Sequence, residues 1–134
     1  MKILLPTLLA LFLLSGCSSR EGARLPQNTD RFNNEDTAVF VLMDSRTQRS
    51  VTSTGIQQQT LQDGRLRVAA NLRNRENRRI QVQWQIVFKD SGGFETESTP
   101  WRTIILTENG QETVTADSMN TEARRYTVRV REAR

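Results

Sequence analysis

Residues Ile80 to Phe88 constrain the fold more than any other stretch: Ile80, Val82, Trp84, Ile86 and Phe88 alternate with Gln81, Gln83 and Gln85. Apolar residues at every second position put five large side chains on one face of an extended chain, whereas a helix with its period of 3.6 would scatter them. The stretch therefore reads as the central strand of a sheet. The same period recurs from Arg65 to Arg73, where Leu66, Val68, Ala70 and Leu72 oppose Arg65, Arg67, Asn71 and Arg73. It recurs again from Arg125 to Arg131, where Tyr126, Val128 and Val130 oppose Thr127, Arg129 and Arg131.

Shorter β-rich runs cover Thr37 to Met43, Ser50 to Thr54, Trp101 to Leu106 and Glu112 to Ala116. Another strand begins at Phe94 and is bent or broken at Pro100, which has no amide to give to a ladder. Turn residues separate these runs at Asp63 and Gly64, Asn74 to Arg79, Asp90 to Gly93, and Glu108 to Gly110. Asp117 to Glu122 reads as an irregular polar link with room for a short helical turn. No window offers a long amphipathic helix. About seven short strands in a domain of this size predict an all-β fold, an antiparallel β-sandwich, with a small β-barrel as the alternative.

The first residues are of a different kind. Met1 and Lys2 precede an apolar run from Ile3 to Leu14, the charged and hydrophobic regions of a secretory signal. A bilayer-spanning helix needs about 20 apolar residues, so this run is a signal and not a span. Leu14, Ser15, Gly16 and Cys17 follow it and match the bacterial lipobox, in which small residues precede a cysteine that receives lipid before cleavage. That match implies removal of residues 1–16, lipidation at Cys17 and stable attachment to a membrane through the N-terminal lipid. Ser18 follows the cysteine instead of the aspartate that retains such proteins at the inner membrane, so the expected location is the outer membrane, facing the periplasm.

From Ser18 to Asp36 the chain is polar and cannot bury enough apolar surface to offset its ordering entropy. Residues 17–36 are expected to be a flexible tether and 37–134 the β-sandwich domain. Extended, about 19 residues reach roughly 60 Å; as a coil they average nearer 25 Å. Phe32 is the tether residue placed to dock on the domain.

The chemistry left to this domain is narrow. There is no histidine, and Cys17 is the only cysteine. Zinc sites of His and Cys, thiol nucleophiles and Ser-His-Asp triads are excluded together, and with Cys17 modified so is a disulfide. No catalytic residue, cofactor site or metal site is expected, and no Gly-rich phosphate loop opens a helix. Glu95 and Glu97 share a strand face as the one carboxylate pair with glycosidase-like spacing, but a solvated strand beside a turn explains them.

The formal net charge of +4 is carried almost wholly by arginine, because Lys2 and Lys89 are the only lysines. Arg65, Arg67 and Arg73 share one strand face and Arg129 and Arg131 another. Were the strands neighbours, the two faces would merge into one basic patch able to hold carboxylate or phosphate groups. Trp101, beside Pro100 and Arg102, is either core or strand-edge packing or a platform for a sugar, whereas Trp84 belongs to the core. Nucleic acid is excluded as a partner by compartment.

The order of motifs also resembles a known family. A turn at Asn74 to Asn77 leads to the aromatic strand through Trp84 and Phe88, then the Asp90 and Gly93 turn, Trp101, the Asn109 and Gly110 turn, Ser118, Asn120, Ala123 and a last strand. This is similar to the YcfL-like family of small Gram-negative envelope lipoproteins, over roughly residues 48–131 and the lipobox. The resemblance implies an Ig-like β-sandwich and leaves activity open, since the family's function is not established. Some members are encoded beside an activator of peptidoglycan synthases, which points to an envelope protein partner in the cell-wall synthesis machinery. The arginine-rich last strand departs from the family pattern. The expectation is a non-enzymatic interaction module, with binding of an anionic envelope glycan such as peptidoglycan or lipopolysaccharide as the alternative.

Overall fold

The structure, a computed structural model, describes residues 39–133. The signal, Cys17, the tether and Phe32 lie outside the described residues. Eight strands and one short helix follow in the order β1 (Phe40–Leu42), α1 (Ser45–Ser50), β2 (Val51–Thr60), β3 (Leu66–Asn74), β4 (Ile80–Lys89), β5 (Glu95–Ser98), β6 (Arg102–Leu106), β7 (Gln111–Asp117) and β8 (Arg125–Glu132).

The strands form two sheets. The first has the order β1-β8-β4-β5, with β6 also on β4; the second has the order β2-β3-β7. They pack face to face as a β-sandwich, and neither closes into a barrel. Val82, Trp84, Ile86 and Phe88 of β4, with Leu106, Val128 and Val130, meet Val51, Leu66, Val68, Ala70, Leu72 and Val114 of the second sheet in one core. The alternation that marks β4 in the sequence is what supplies this core, and β4 takes the centre because β8 pairs along one side of it and β5 and β6 along the other.

Pro100 breaks the strand expected from Phe94 onward into β5 and β6, which occupy successive lengths of the same edge of β4. The interruption leaves no ladder donor unmet. Thr99 gives its N–H to the Ile86 carbonyl at 2.9 Å, and its Oγ1 accepts the Ile86 N–H at 3.0 Å. The Thr99 carbonyl accepts Gln85 Nε2 at 2.8 Å.

Three expectations need correction. First, β2 does not stop at Thr54 but runs to Thr60, registered against β3 through a bulge between Ser53 and Gly55. Polar Gln57 to Gln59 hide β2 from a hydrophobic pattern; backbone pairing to β3 makes it a strand. Second, the sandwich is not wholly antiparallel, because β1 pairs parallel to β8, Phe40 opposite Val128. Third, the helical turn stands at Ser45–Ser50 and not at Asp117 to Glu122. Asp44 nucleates α1 as an N-cap, its Oδ1 accepting the Thr47 N–H at 2.8 Å. In the later link Ser118 is buried instead, taking the Leu66 N–H on Oγ at 2.9 Å and giving its hydroxyl to the Asn120 carbonyl at 2.8 Å.

Candidate functional site

The two arginine sets belong to different sheets, β3 to the second and β8 to the first. Each set alternates with core residues of its own strand, so the two point to opposite sides of the sandwich. The single merged patch does not form.

On the second sheet the arginines are mostly neutralised in place. Arg67 makes a bidentate pair with Asp117 across the β3–β7 register, both contacts at 2.7 Å. Hydrogen bonds from Arg67 hold the Asp117 carboxyl below its ordinary value. Arg65 pairs with Asp63 at 2.6 Å within the turn before β3, and the Arg65 N–H and guanidinium together lower the Asp63 carboxyl. Arg73 stands exposed on β3.

On the first sheet Arg129, Arg131 and Trp101 do come together. Arg131 Nε donates to Gln83 Oε1 at 2.9 Å, and Arg129 Nη1 to Gln85 Oε1 at 3.3 Å, each across the β4–β8 register. The Arg131 guanidinium lies 3.9 Å from the Trp101 ring centroid, a cation–π stack. Trp101 is half-buried at the sheet edge, outside the core, whereas Trp84 is in the core at 6% exposure. Arg102 reaches over Trp84 at 5.6 Å.

Glu95 and Glu97 do not act as a pair. Glu97 accepts the backbone N–H groups of Met119 and Asn120 and, at 2.9 Å, Asn120 Nδ2, so it pins the β7–β8 link; Glu95 is exposed.

A cleft that sequence spacing did not reveal opens where α1 meets the starts of β4 and the end of β8. Its volume is about 210 Å³, and Arg46, Ser50, Arg78, Arg79 and Glu132 line it. Ligand pockets of drug-sized molecules run from about 300 Å³ upward, and this one is smaller. Most of its charges are also paired: Arg46 pairs with Glu132, while Glu76 takes both the Ser50 hydroxyl and Arg78 and is held below its usual value by them. Asp44 ties together two lining residues, accepting the N–H groups of Thr47 and Glu132. Burial disfavours its charge, but the Thr47 and Glu132 N–H groups outweigh that and lower its carboxyl. The sequence signal that could have revealed this cleft was Asp44 followed by a polar six-residue run, a capped helical turn.

A second, open groove of about 370 Å³ runs between the Thr99–Pro100 break and β7, bordered by Arg67, Glu97, Arg102 and Asp117. Among the described residues no three acidic side chains gather as a metal site. Each carboxylate with a displaced ionisation, Asp44, Asp63, Glu76 and Asp117, is held low, which suits hydrogen-bond acceptors in a scaffold and not a general acid. Among the described residues no helix is long and apolar enough to cross a membrane.

Comparison with curated proteins yields no match. The fold is similar to the crystal structure of Campylobacter jejuni cj0090, with a TM-score of 0.61 and 14% identity over 71% of this chain and 98% of that one. It is also similar to the crystal structure of a DUF1425 family member from Shewanella sp. pv-4, with a TM-score of 0.57 and 27% identity over 62% of this chain and 78% of that one. A family model described as a protein of unknown function (DUF1425) matches residues 39–132, the whole of the two-sheet domain, and the chain therefore belongs to the DUF1425 family.

Proposed function

We propose that the chain is a lipoprotein anchored in the outer membrane through lipid on Cys17, its tether holding a β-sandwich in the periplasm as a non-enzymatic protein-interaction module of the cell envelope. The anchor rests on the lipobox at Leu14 to Cys17. The module rests on one observation, the free edge of β2. This strand is ten residues long, pairs among the described residues only with β3, and from Val51 to Thr60 carries neither charge nor proline. Gln57 to Thr60 are exposed. Sheet edges are normally blunted by lysine, proline, a bulge or short length; β2 has its bulge between Ser53 and Gly55, so the length beyond it, Ile56 to Thr60, is the part open to a partner's strand, whose backbone supplies affinity.

The anchor is tested by palmitate incorporation and membrane fractionation. Cys17→Ser is expected to abolish both labelling and recovery with the outer membrane; retention there would refute it. The module is tested with a photo-crosslinker at Gln58 in intact cells. A discrete cross-linked envelope protein is expected, lost when Gln57→Lys and Gln59→Lys guard the edge; capture that survives those lysines refutes strand addition.

A second reading, binding of an anionic envelope glycan, is favoured by Arg129, Arg131 and Trp101 sharing one face. Retention on purified sacculi that falls in Arg129→Ala with Arg131→Ala would move the assignment there.

A further inference from the structure

Arg131 differs from other arginines of the domain in what holds it. Arg46, Arg65, Arg67 and Arg78 each close on a carboxylate. Arg131 is held by neutral groups instead: its Nε donates to Gln83 Oε1 at 2.9 Å, and its guanidinium stacks 3.9 Å from the Trp101 ring centroid. Gln83 is itself steered by a longer contact, its Nε2 donating to Thr103 Oγ1 at 3.4 Å. These contacts fix the plane of the guanidinium without cancelling its charge, and no described carboxylate pairs with it. The sheet offers none close by. Gln81, Gln83 and Gln85 of β4, Thr103 and Ile105 of β6, and Arg129 and Arg131 of β8 alternate with core-facing residues, share the outward face and include no acid. With Nε spent on Gln83, Arg131 keeps Nη1 and Nη2 as a planar fork, the geometry that takes a carboxylate through two hydrogen bonds.

We infer that this face binds an extended acidic segment of a protein partner, with one carboxylate on the Arg131 fork and a second, two residues along, over Arg129. Three observations select a peptide. Arg129 and Arg131 are alternate residues of one strand, so they repeat at about 6.7 Å, the spacing of same-side residues along any extended peptide. One face of the Trp101 ring is taken by Arg131 and the ring is half-buried, so it is no open platform for a sugar. Exposed apolar side chains flank the charges: Met43, 37% exposed, follows the Leu42 that pairs with Val130 and so stands beside Arg131, and Ile105, 49% exposed, lies on β6 beyond β4. Methionine beside arginine is the mixture that protein interfaces favour. Resting on the interaction-module reading, this contact deepens it: the partner is acidic where it meets the first sheet, and the surface is separate from β2, which lies in the second.

The full chain in detergent micelles is titrated by calorimetry with the peptide acetyl-Val-Glu-Thr-Glu-Val-amide and with its counterpart carrying glutamine for glutamate. The glutamate peptide is expected to bind about tenfold more tightly, and Arg131→Ala to remove that advantage. Arg131→Lys keeps the charge but loses the fork and the stack, and is expected to recover only part of it. Trp101→Leu leaves Arg131 in place without its stack and is expected to weaken binding about threefold. Arg73→Ala, on the second sheet, is expected to leave the affinity unchanged, and circular dichroism with thermal midpoints checks that each variant is folded. Equal affinity for the two peptides overturns the inference. So does a folded Arg131→Ala chain that still prefers the glutamate peptide, or Arg131→Lys at full affinity. Retention on purified sacculi without peptide binding also overturns it and gives the face to the glycan reading. The Gln58 cross-link and palmitate labelling depend on neither arginine, so failure here and failure of the module reading are told apart.

Discussion

β2 and β4 are both ten residues long, yet they are held by different forces. β4 is buried at seven of its positions and β2 at one, and that contrast decides what each contributes. β4 donates Val82, Trp84, Ile86 and Phe88 to the core, so side-chain burial fixes its register and a one-residue slip would turn all four to water. β2 offers Val51 and Ile56 to the interior and otherwise hangs on its backbone ladder with β3, with a bulge at Gly55. A strand held by side chains is committed to the fold; a strand held on one side by backbone alone keeps its other edge available to a partner.

The largest effect that sharpens this contrast is a core truncation. Phe88→Ala is expected to cost about 3–5 kcal/mol in urea denaturation, with Ile56→Ala in β2 costing well under half of that; equal costs would erase the distinction. Next comes the turn that links the two sheets. Asn74 is fully buried at the end of β3, its Nδ2 donating to the Arg78 and Thr107 carbonyls at 2.6 and 2.9 Å and its Oδ1 accepting the Glu76 N–H at 2.8 Å. Asn74→Ala strands these groups and is expected to lower stability by about 2–3 kcal/mol, seen as a fall in the denaturation midpoint at unchanged slope.

Asp44 joins α1, directly before β2, to the end of β8, since its Oδ2 accepts the Glu132 N–H at 2.7 Å. Asp44→Ala is expected to cost about 1 kcal/mol, as for other lost N-caps. Because its folded carboxyl lies below the ordinary 3.8, its stabilisation is complete above about pH 4 and disappears as pH falls through the lower folded value. Thermal midpoints measured from pH 7 down to pH 2 should fall less steeply below pH 4 in Asp44→Asn than in the unaltered chain. The smallest effect belongs to the second sheet's surface. Arg67→Ala removes an exposed pair with Asp117 and is expected to lower the denaturation midpoint less than any of the other changes, the difference shrinking further in high salt.

The sequence showed the strands that bury their side chains and cut short the one that does not. Alternation at Leu66 to Leu72, Ile80 to Phe88 and Tyr126 to Val130 located β3, β4 and β8 to within a residue or two, and Pro100 located the break between β5 and β6. Gln57 to Gln59 carry no such signal, because polar side chains on an edge strand leave no trace of backbone pairing. The candidate sites divide in the same way. Glycine and asparagine marked the turns, and Gly93 at φ 88° and Asn109 at φ 50° take left-handed backbone there. Which arginines stand together was invisible, since spacing along a strand says which face a side chain shares and nothing of which sheet that strand joins.

By itself, then, the sequence determined an all-β domain, its central strand and the removal of histidine and thiol chemistry from it, because period and composition are properties of single segments. Only the tertiary structure decided that β3 and β8 lie in opposite sheets, that β1 runs parallel to β8, and that Arg131 stacks on Trp101. Those depend on which segments meet, and pairing between segments far apart in the chain is set by the packing of the whole core.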